Sequence, residues 1–528
     1  MRRGLIANLS TVGGFTLASR LLGFARDILF ATHFGAGFGM DAFLVAFKIP
    51  NFGRRLFAEG AFSQAFVPVL AEYRANRSEA EVRELIARTG GSLAAVLFLL
   101  TVVGVLLAPV FIWIFAPGFH ANVAKFDLSA HLLRLTFPYL LLISLTAFAG
   151  AILNTYGRFG PPAFAPALLN VAFIVAALIV APTLAHPIYA LGGAVLIAGV
   201  LQLAVQLPGL IRLRFFVRPA LGFAHAGVRR ILRLMTPIIF GASTTQINLL
   251  IDTIIASFLA SGSISWLYYS DRLMEFPLGV FAIALGTVIL PRLSHHFARG
   301  EGNHYSTMLD RALRLTLLFM PAAAMGLLAL ARPIVASIYG YGHFDAHDVA
   351  MARASLMAYA VGLTGFALVK VLAPAYFARQ DVRTPVRIGV IAVGVNLALN
   401  VALVIPWAVL GGYAPHAGLA LSTGLAAIVN ATLLWRGLHK RGIYKALPGW
   451  GLFLVRIAAA TLAMGAAVWF TAQALAPWTA IDVWQRVWRL AVLLGEGFAV
   501  YAVVLAALGM RPRHLRPAVD GNPAARPV

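Results

Sequence analysis

Gly91–Phe115 reads GSLAAVLFLLTVVGVLLAPVFIWIF, 25 residues without a charged side chain. As an α-helix it would rise roughly 37 Å, enough to cross the ~30 Å hydrocarbon layer of a bilayer. In lipid a helix satisfies its backbone polar groups internally, and apolar side chains on every face find a matching solvent. Working outward, apolar runs broken by Gly, Pro and charge recur along all 528 residues. They fall at 5–32, 39–71, 88–116, 128–156, 162–182, 188–211, 230–259, 264–292, 312–338, 349–378, 386–406, 415–435, 451–474 and 486–509. The fold class is therefore an all-α polytopic membrane protein of about fourteen transmembrane helices. The second and eighth runs are too long to be plain spans, and Pro50, Pro68, Pro277 and Pro291 predict kinks or breaks in them.

Composition agrees. Hydrophobic residues make up 60% of the chain and charged residues 12%, with a mean hydropathy of +0.85; a soluble domain carries roughly 25% charged residues. Absence of cysteine excludes disulfides, thiol catalysis and thiolate metal sites. No Gly-rich GKS or GKT loop is present for a nucleotide. His295 and His296 are adjacent on a basic connection, poor spacing for a metal, and are read as solvated. The start, MRRGLIANLSTVGGFTLASRLLGF, lacks a cleavage site before Arg20, Arg26 and Asp27, so it reads as a retained first span rather than a signal peptide.

The net charge of +23 would suggest nucleic acid in a soluble protein. Its placement says otherwise. With the N-terminus in the cytoplasm, 28 Lys and Arg fall in inside segments and only Lys125, Arg486 and Arg489 in outside ones. That is a strong positive-inside bias. It predicts a multi-pass protein of the inner membrane with both termini cytoplasmic, and no nucleic-acid partner.

Helices 1–6 and 7–12 resemble two copies of one unit displaced by about 224 residues. RDILFATHF (Arg26–Phe34) lies over IDTIIASFL (Ile251–Leu259), FVPVL (Phe66–Leu70) over ILPRL (Ile289–Leu293), and APVFIWIFAPGF (Ala108–Phe119) over RPIVASIYGYGH (Arg332–His343). Six helices per copy make the repeat parallel. Two six-helix lobes then span 1–215 and 216–445, followed by two extra C-terminal helices in 446–510 and a cytoplasmic tail, 511–528. Such halves are the layout of alternating-access carriers, with substrate held between them.

Charge inside spans is costly, at least ~2.5–3.5 kcal/mol at the bilayer centre. Eleven basic residues nevertheless fall there: Arg20, Arg26, Lys48, Arg54, Arg55, Arg134, Arg272, Arg332, Arg353, Lys370 and Arg456. Asp27, Asp41, Glu59, Asp252, Asp271 and Glu275 accompany them. Arg134, Arg332, Arg353 and Arg456 read as snorkelling or ion-paired. Arg20, Arg26, Arg54 and Arg272 crowd instead onto helices 1, 2 and 8, where a central site would sit. Arginine offers a planar fork to phosphate oxygens and keeps its charge, so surplus arginine implies an anionic substrate, phosphate or diphosphate, with neighbouring carboxylates orienting the arginines. Asp252, mid-helix with no basic residue near it in sequence, is either an ion-coupling carboxylate or a hydrogen-bonded contact to Asn248 or another polar group.

SRLLGFARDILFATHFGAG, MDAFLVAFKIPNFGRRLFAEGAFSQAFVPVLAEYR, YYSDRLMEFPLGVFAIALGTVILPRLS and KVLAPAYFARQDVRTPV resemble the MurJ (MviN) family of lipid II flippases, within the multidrug/oligosaccharidyl-lipid/polysaccharide exporter superfamily. The resemblance is close over helices 1–12 and extends over the whole length. It implies two lobes around a cationic cavity that flips lipid II, the undecaprenyl-diphosphate disaccharide-pentapeptide, from the cytoplasmic to the periplasmic leaflet for peptidoglycan synthesis. The family's cavity arginines map onto Arg20, Arg26, Arg54 and Arg272; Asp41, Glu59 and Glu275 lie in matching motifs; and the last two helices would form a groove for the polyprenyl tail. Membrane lipids and the cell-wall synthesis machinery are the implied partners. No cofactor or metal is expected beyond a monovalent coupling cation, for which Asp252 is the candidate carboxylate. Three rivals make different demands. A flippase for another polyprenyl-linked polysaccharide would rescue a polysaccharide defect, a drug–cation antiporter would want acidic and aromatic walls, and a non-transporting scaffold would need no buried arginine.

Overall fold

The computed structural model describes residues 2–55 and 62–510, without the side chains of 2–12, 237, 239–247 and 282–292. Among these residues the regular structure is helical throughout. The first half runs α1 (Arg2–Phe34), α2 (Phe38–Arg54), α3 (Ser63–Asn76), α4 (Glu79–Leu106), α5 (Ala108–Phe115), α6 (Val123–Thr136), α7 (Tyr139–Thr155), α8 (Gly160–Val175), α9 (Ile188–Ala204) and α10 (Leu207–Arg212). The second runs α11 (Ala226–Ser257), α12 (Ser263–Ala298), α13 (Gly302–Ala329), α14 (Ala331–Ile338), α15 (Ala346–Phe377), α16 (Arg383–Leu399), α17 (Ile405–Val409), α18 (His416–Lys440), α19 (Trp450–Ala474) and α20 (Val483–Ala507).

Local chemistry sets several ends. Ser78 caps α4 by accepting from Glu81 N–H, while the Glu81 carboxylate accepts from Ser78 N–H, a reciprocal box that satisfies two orphan donors. Pro50 lies inside α2 and Pro68 inside α3. By contrast α12 passes Pro277 and Pro291 without interruption, so of the kinks or breaks expected in the eighth run no break occurs. Long membrane helices tolerate proline where neighbouring groups take up the freed carbonyl.

Ten stretches among the described residues are long and apolar enough to cross a membrane: α4, α6–α7, α8 on to Thr183, α9–α10, α13, α15, α16–α17, α18, α19 and α20. Of the helices outside that set, α1, α2, α11 and α12 carry Arg20, Arg26, Asp41, Arg54, Asp252 and Arg272. Large apolar side chains face outward all along the chain, including Leu106, Trp488 and Phe498, each more than 70% exposed. In water this surface would aggregate; against lipid chains it is the expected exterior.

Two compact units form. The first comprises Met1–Tyr269 with Tyr339–Asp348, the second Ser270–Ile338 with Val349–Val528. In the first, α1 packs on α8, α2 on α6, and α3 on α7 and α11. Phe66, Leu85, Ile152 and Ile231 are part of its buried cluster. In the second, α16 packs on α18 and α13 on α19, which pairs with α20. Its cores gather Leu309, Leu372 and Leu434, and Leu318, Ile457 and Tyr501.

Unusual backbone features recur at the spacing of the sequence repeat. A π-helical turn at Ala176–Val180 is matched at Asn400–Val404, with Pro182 and Pro406 just after. The short α5 is matched by α14, and the left-handed Gly157 by a left-handed Gln380. Composition alone explains none of these coincidences, because each is a departure from plain helix.

The three cations assigned to outside loops prove to be built into the structure. Lys125 is 6% exposed and ion-paired with Asp41. Arg486, also 6% exposed, donates from Nε to Ile481 O at 3.0 Å, from Nη1 to Ala336 O at 3.0 Å and from Nη2 to Thr479 O at 2.8 Å. Arg489 Nη1 donates to the carbonyl of Leu475, just past α19. A guanidinium is well placed against such carbonyls, which otherwise lack donors and carry partial negative charge. The connections that the charge count assigns to the outside therefore hold less solvent-exposed positive charge than that count suggests.

Candidate functional site

In the first unit the chemistry centres on α1. Arg26 and Asp27 are neighbours in sequence, so their side chains leave the helix about 100° apart and do not naturally meet. The long arginine arm bridges the gap, with Nε and Nη2 donating to Asp27 Oδ1 at 2.9 and 2.7 Å. Nη1 donates to Asn170 Oδ1 on α8 at 2.9 Å, and Nη2 also reaches Tyr268 Oη on α12 at 3.2 Å. Tyr268 in turn donates to Asp27 Oδ1 at 2.7 Å. Asn170 is oriented by donating from Nδ2 to Ser19 O, 2.9 Å away on α1. The guanidinium lies 5.6 Å from the Phe30 ring and 5.7 Å from that of Phe173. Side-chain exposures of 13% and 4% mark the pair as largely withdrawn from solvent. Such a pair avoids isolated buried charge, and its arginine fork is held in one orientation.

Asp41, 1% exposed near the start of α2, accepts four hydrogen bonds. Lys125 Nζ and Gly262 N donate to Oδ2 at 2.8 and 2.7 Å, and Ser265 N and Oγ donate to Oδ1 at 2.9 and 2.6 Å. Lys125 also donates to Ser261 Oγ at 3.1 Å. This carboxylate is occupied as a junction joining α2, α6 and the start of α12. Sequence reasoning had placed it beside arginine; its cation is Lys125.

The remaining candidates sit as follows. Arg54 Nε donates to Asn51 Oδ1 at 2.7 Å and is half-buried, while Arg20 lies exposed on α1. Lys48 Nζ donates to Thr253 Oγ1 at 2.5 Å, which brings an ammonium to the residue next to Asp252 on α11. Asp252, without a basic neighbour in sequence, thus has a cation close by in the fold. In the second unit Arg272 Nη1 pairs with Glu275 Oε2 at 2.9 Å, with side-chain exposures of 35% and 51%. Glu59 lies outside the described residues. Arg134, Arg332 and Arg353 are exposed, as snorkelling requires. Sequence reasoning missed Lys125, Asn170 and Tyr268. A lone Asn inside APALLNVAFIV and the paired tyrosines before Asp271 were signals that could have found two of them. Among the described residues, no three His, Asp or Glu side chains gather as a metal ion would require.

Residues 30–488 match the family profile described as Lipid II flippase MurJ. The chain belongs to this family. It is 42% identical over 513 residues to a probable lipid II flippase MurJ of Haemophilus influenzae, covering 95% of this chain and 99% of the relative. Against the lipid II flippase MurJ of Burkholderia cenocepacia the identity is 45% over 464 residues, 87% and 89% of the two chains. Among solved structures, a lipid II flippase MurJ in an inward closed conformation matches with a TM-score of 0.78 at 25% identity, covering 94% of this chain and 98% of the other. An inward-facing multidrug-resistance MATE family transporter of the MOP superfamily shares the fold at a TM-score of 0.64 and 13% identity, covering 80% and 95%. The family's members thus bracket the chain over nearly its whole length; the Asp41 junction, the Arg272–Glu275 pair and the Asn170 and Tyr268 partners of Arg26 fall inside residues 30–488, while Arg26 and Asp27 lie just before them.

Proposed function

We propose that this protein is a lipid II flippase, a transporter rather than an enzyme, carrying the undecaprenyl-diphosphate-linked precursor from the cytoplasmic to the periplasmic leaflet of the inner membrane. The observation that carries the reading is full-length similarity to proteins bearing that name, 42–45% identical to this chain. In this reading fourteen helices cross the bilayer, with lobes at 1–215 and 216–445, a lipid-tail groove in 446–510 and both termini in the cytoplasm. Arg20, Arg26, Arg54 and Arg272 bind the diphosphate. The Nε and Nη2 donors of Arg26 converge on Asp27 Oδ1, and the same edge of the guanidinium suits phosphate oxygens. Asp41 and Glu275 hold partners in place, and Glu59 is the third acidic residue assigned to the substrate site. Asp252 is the coupling carboxylate, with Lys48 as its neighbouring charge. Support for the arginine roles comes from the cost of keeping such groups within apolar helices. Cell-wall synthesis enzymes are the proposed partners.

The test is depletion of the protein in its own host, followed by assay of lipid II on each membrane face. Accumulation on the cytoplasmic face, reversed by the wild-type chain, is expected. Normal leaflet distribution after depletion, with loss of a different polysaccharide, would assign another polyprenyl-linked cargo.

A further inference from the structure

Four residues, none with a role assigned above, form a matched pair of contacts. Gly118 follows α5, and Gly342 follows α14. The two are equivalent in the repeat, at an offset of about 224 residues. Thr32 lies at the C-terminal end of α1 and Ser257 ends α11, again equivalent positions. Gly118 donates its N–H to Ser257 Oγ at 3.0 Å, and a methyl group on Gly118 would overlap the Ser257 carbonyl. Gly342 packs on Thr32 so that a methyl there would overlap the Thr32 carbonyl, and the next residue, His343, donates its N–H to that same oxygen at 2.9 Å. Gly342 is in the left-handed region at φ +58°, which glycine alone adopts freely.

The pairing is reciprocal. The loop of the first copy grips the first helix of the second copy, and the loop of the second copy grips the first helix of the first. A local two-fold axis produces that pattern, since residue i then contacts j′ wherever j contacts i′. Such an axis also makes a further demand: somewhere a residue must meet its own equivalent. Asp41 and Ser265 are equivalent at the same offset, and they are hydrogen-bonded through both Ser265 N and Oγ. All three contacts belong to the first compact unit.

We propose that Gly118 and Gly342 are paired closing contacts, a symmetric clasp on either side of the Asp41–Ser265 axis, and that this end of the transporter opens only when both let go. The proposal rests on the transporter reading, and on the charge bias that assigns this end to the outside. Glycine is required because each clasp is a backbone-to-backbone approach. A side chain there meets a carbonyl fixed in a helix end rather than a flexible neighbour that could yield. Each clasp holds little by itself, one N–H bond and a close contact, so the pair is suited to frequent release. The two differ chemically. The Gly118 clasp uses a serine hydroxyl and the Gly342 clasp a backbone carbonyl, so a hydroxyl deletion loosens one and leaves the other intact.

The cysteine-free chain of 528 residues suits the test. Ser263→Cys places a thiol at a site 1% exposed beside the axis. Labelling by an impermeant maleimide is followed in sealed cells and in inverted vesicles. Gly118→Ala and Gly342→Ala should each raise outside labelling about tenfold, the effect of shifting a closed–open equilibrium by one power of ten. Ser257→Ala, a milder change, should raise it less. Gly193→Ala, whose methyl meets nothing within 4 Å, should leave it unchanged. In parallel, spin labels at the exposed Val123 and Phe258 should report one distance in the parent chain and a longer population in both glycine variants. Parent-like labelling together with the parent distance in both variants would overturn the clasp. A lengthened distance with labelling raised only in inverted vesicles would keep the clasp and overturn the orientation it borrows.

Discussion

Replacing Lys125 by Met tests whether Asp41 is a structural junction. The substitution keeps an apolar stem against Phe119, over whose ring the ammonium lies at 4.4 Å. It removes the bonds to Asp41 Oδ2 at 2.8 Å and Ser261 Oγ at 3.1 Å. Removing one partner of a buried pair costs about 3–5 kcal/mol, because the other charge stays behind uncompensated. Asp41 would keep three donors, Gly262 N and both groups of Ser265, so the expected loss sits near the low end, about 3 kcal/mol. Asp41→Asn strands the ammonium instead and should cost about as much. The double variant has no buried charge left, and two neutral groups of similar shape should restore part of the loss. A coupling of about 2–3 kcal/mol is then expected. The cycle can be measured by reversible unfolding in mixed micelles, followed by the nine tryptophans. Single losses that add to within about 0.5 kcal/mol would show two independent sites and refute the junction.

Arg26→Ala and Arg272→Ala should abolish complementation of a depleted strain while Arg456→Ala supports growth. Lysine at 26 or 272 should rescue poorly, since one ammonium cannot make a bidentate contact to phosphate; full rescue would show that charge alone suffices. Asp252→Asn should leave the protein inserted but remove the dependence of flipping on an imposed ion or electrical gradient, and equal dependence in both proteins would take Asp252 out of coupling. Cysteines at Ser78 and Gly302 should be labelled only from the cytoplasm and those at Gly37 and Ala185 only from outside, any reversal overturning the orientation. At the turn before α16, the Thr384 hydroxyl, the Thr384 N–H and the Arg441 guanidinium hold the Asp381 carboxyl below its usual range. A depressed folded pKa contributes stability that is present above the unfolded value of about 3.9 and is lost as pH falls through the folded one. The amide protection factor of Thr384 should therefore fall below about pH 4 in the wild type, whereas in Asp381→Asn it should be independent of pH over that range.

The helices were legible in the sequence because lipid imposes one rule on every span, and apolar runs report it directly. Even the charged α1 and α12 stand where the runs placed them, although α12 continues past prolines that a short-range rule would stop at. What the sequence hid was partnership. Counting positive residues by loop sees where Lys125 lies in the chain, yet its carboxylate is 84 positions away. Arg26 was singled out by its type, whereas Asn170 and Tyr268, which fix its direction, come from 144 and 242 residues further on and carry no charge to betray them. Asp252 was set apart on local sequence, and the fold brings Lys48 to the adjacent position from another helix. Residue type told which side chains were expensive to keep, and only the folded chain told what each was kept for.

The meeting of Asp41 with Ser265 bears on how such a chain can arise at all. Were the two copies identical, as in a pair of separate subunits, the residue on the axis would face itself. Two carboxylates would then be pressed together in a dry setting, one of them forced to hold a proton. An aspartate at this position escapes that shared proton only when its counterpart has become something else, here a serine that donates to it. A symmetric dimer would thus have to hold a shared proton at this seam, and a fused, diverged chain does not.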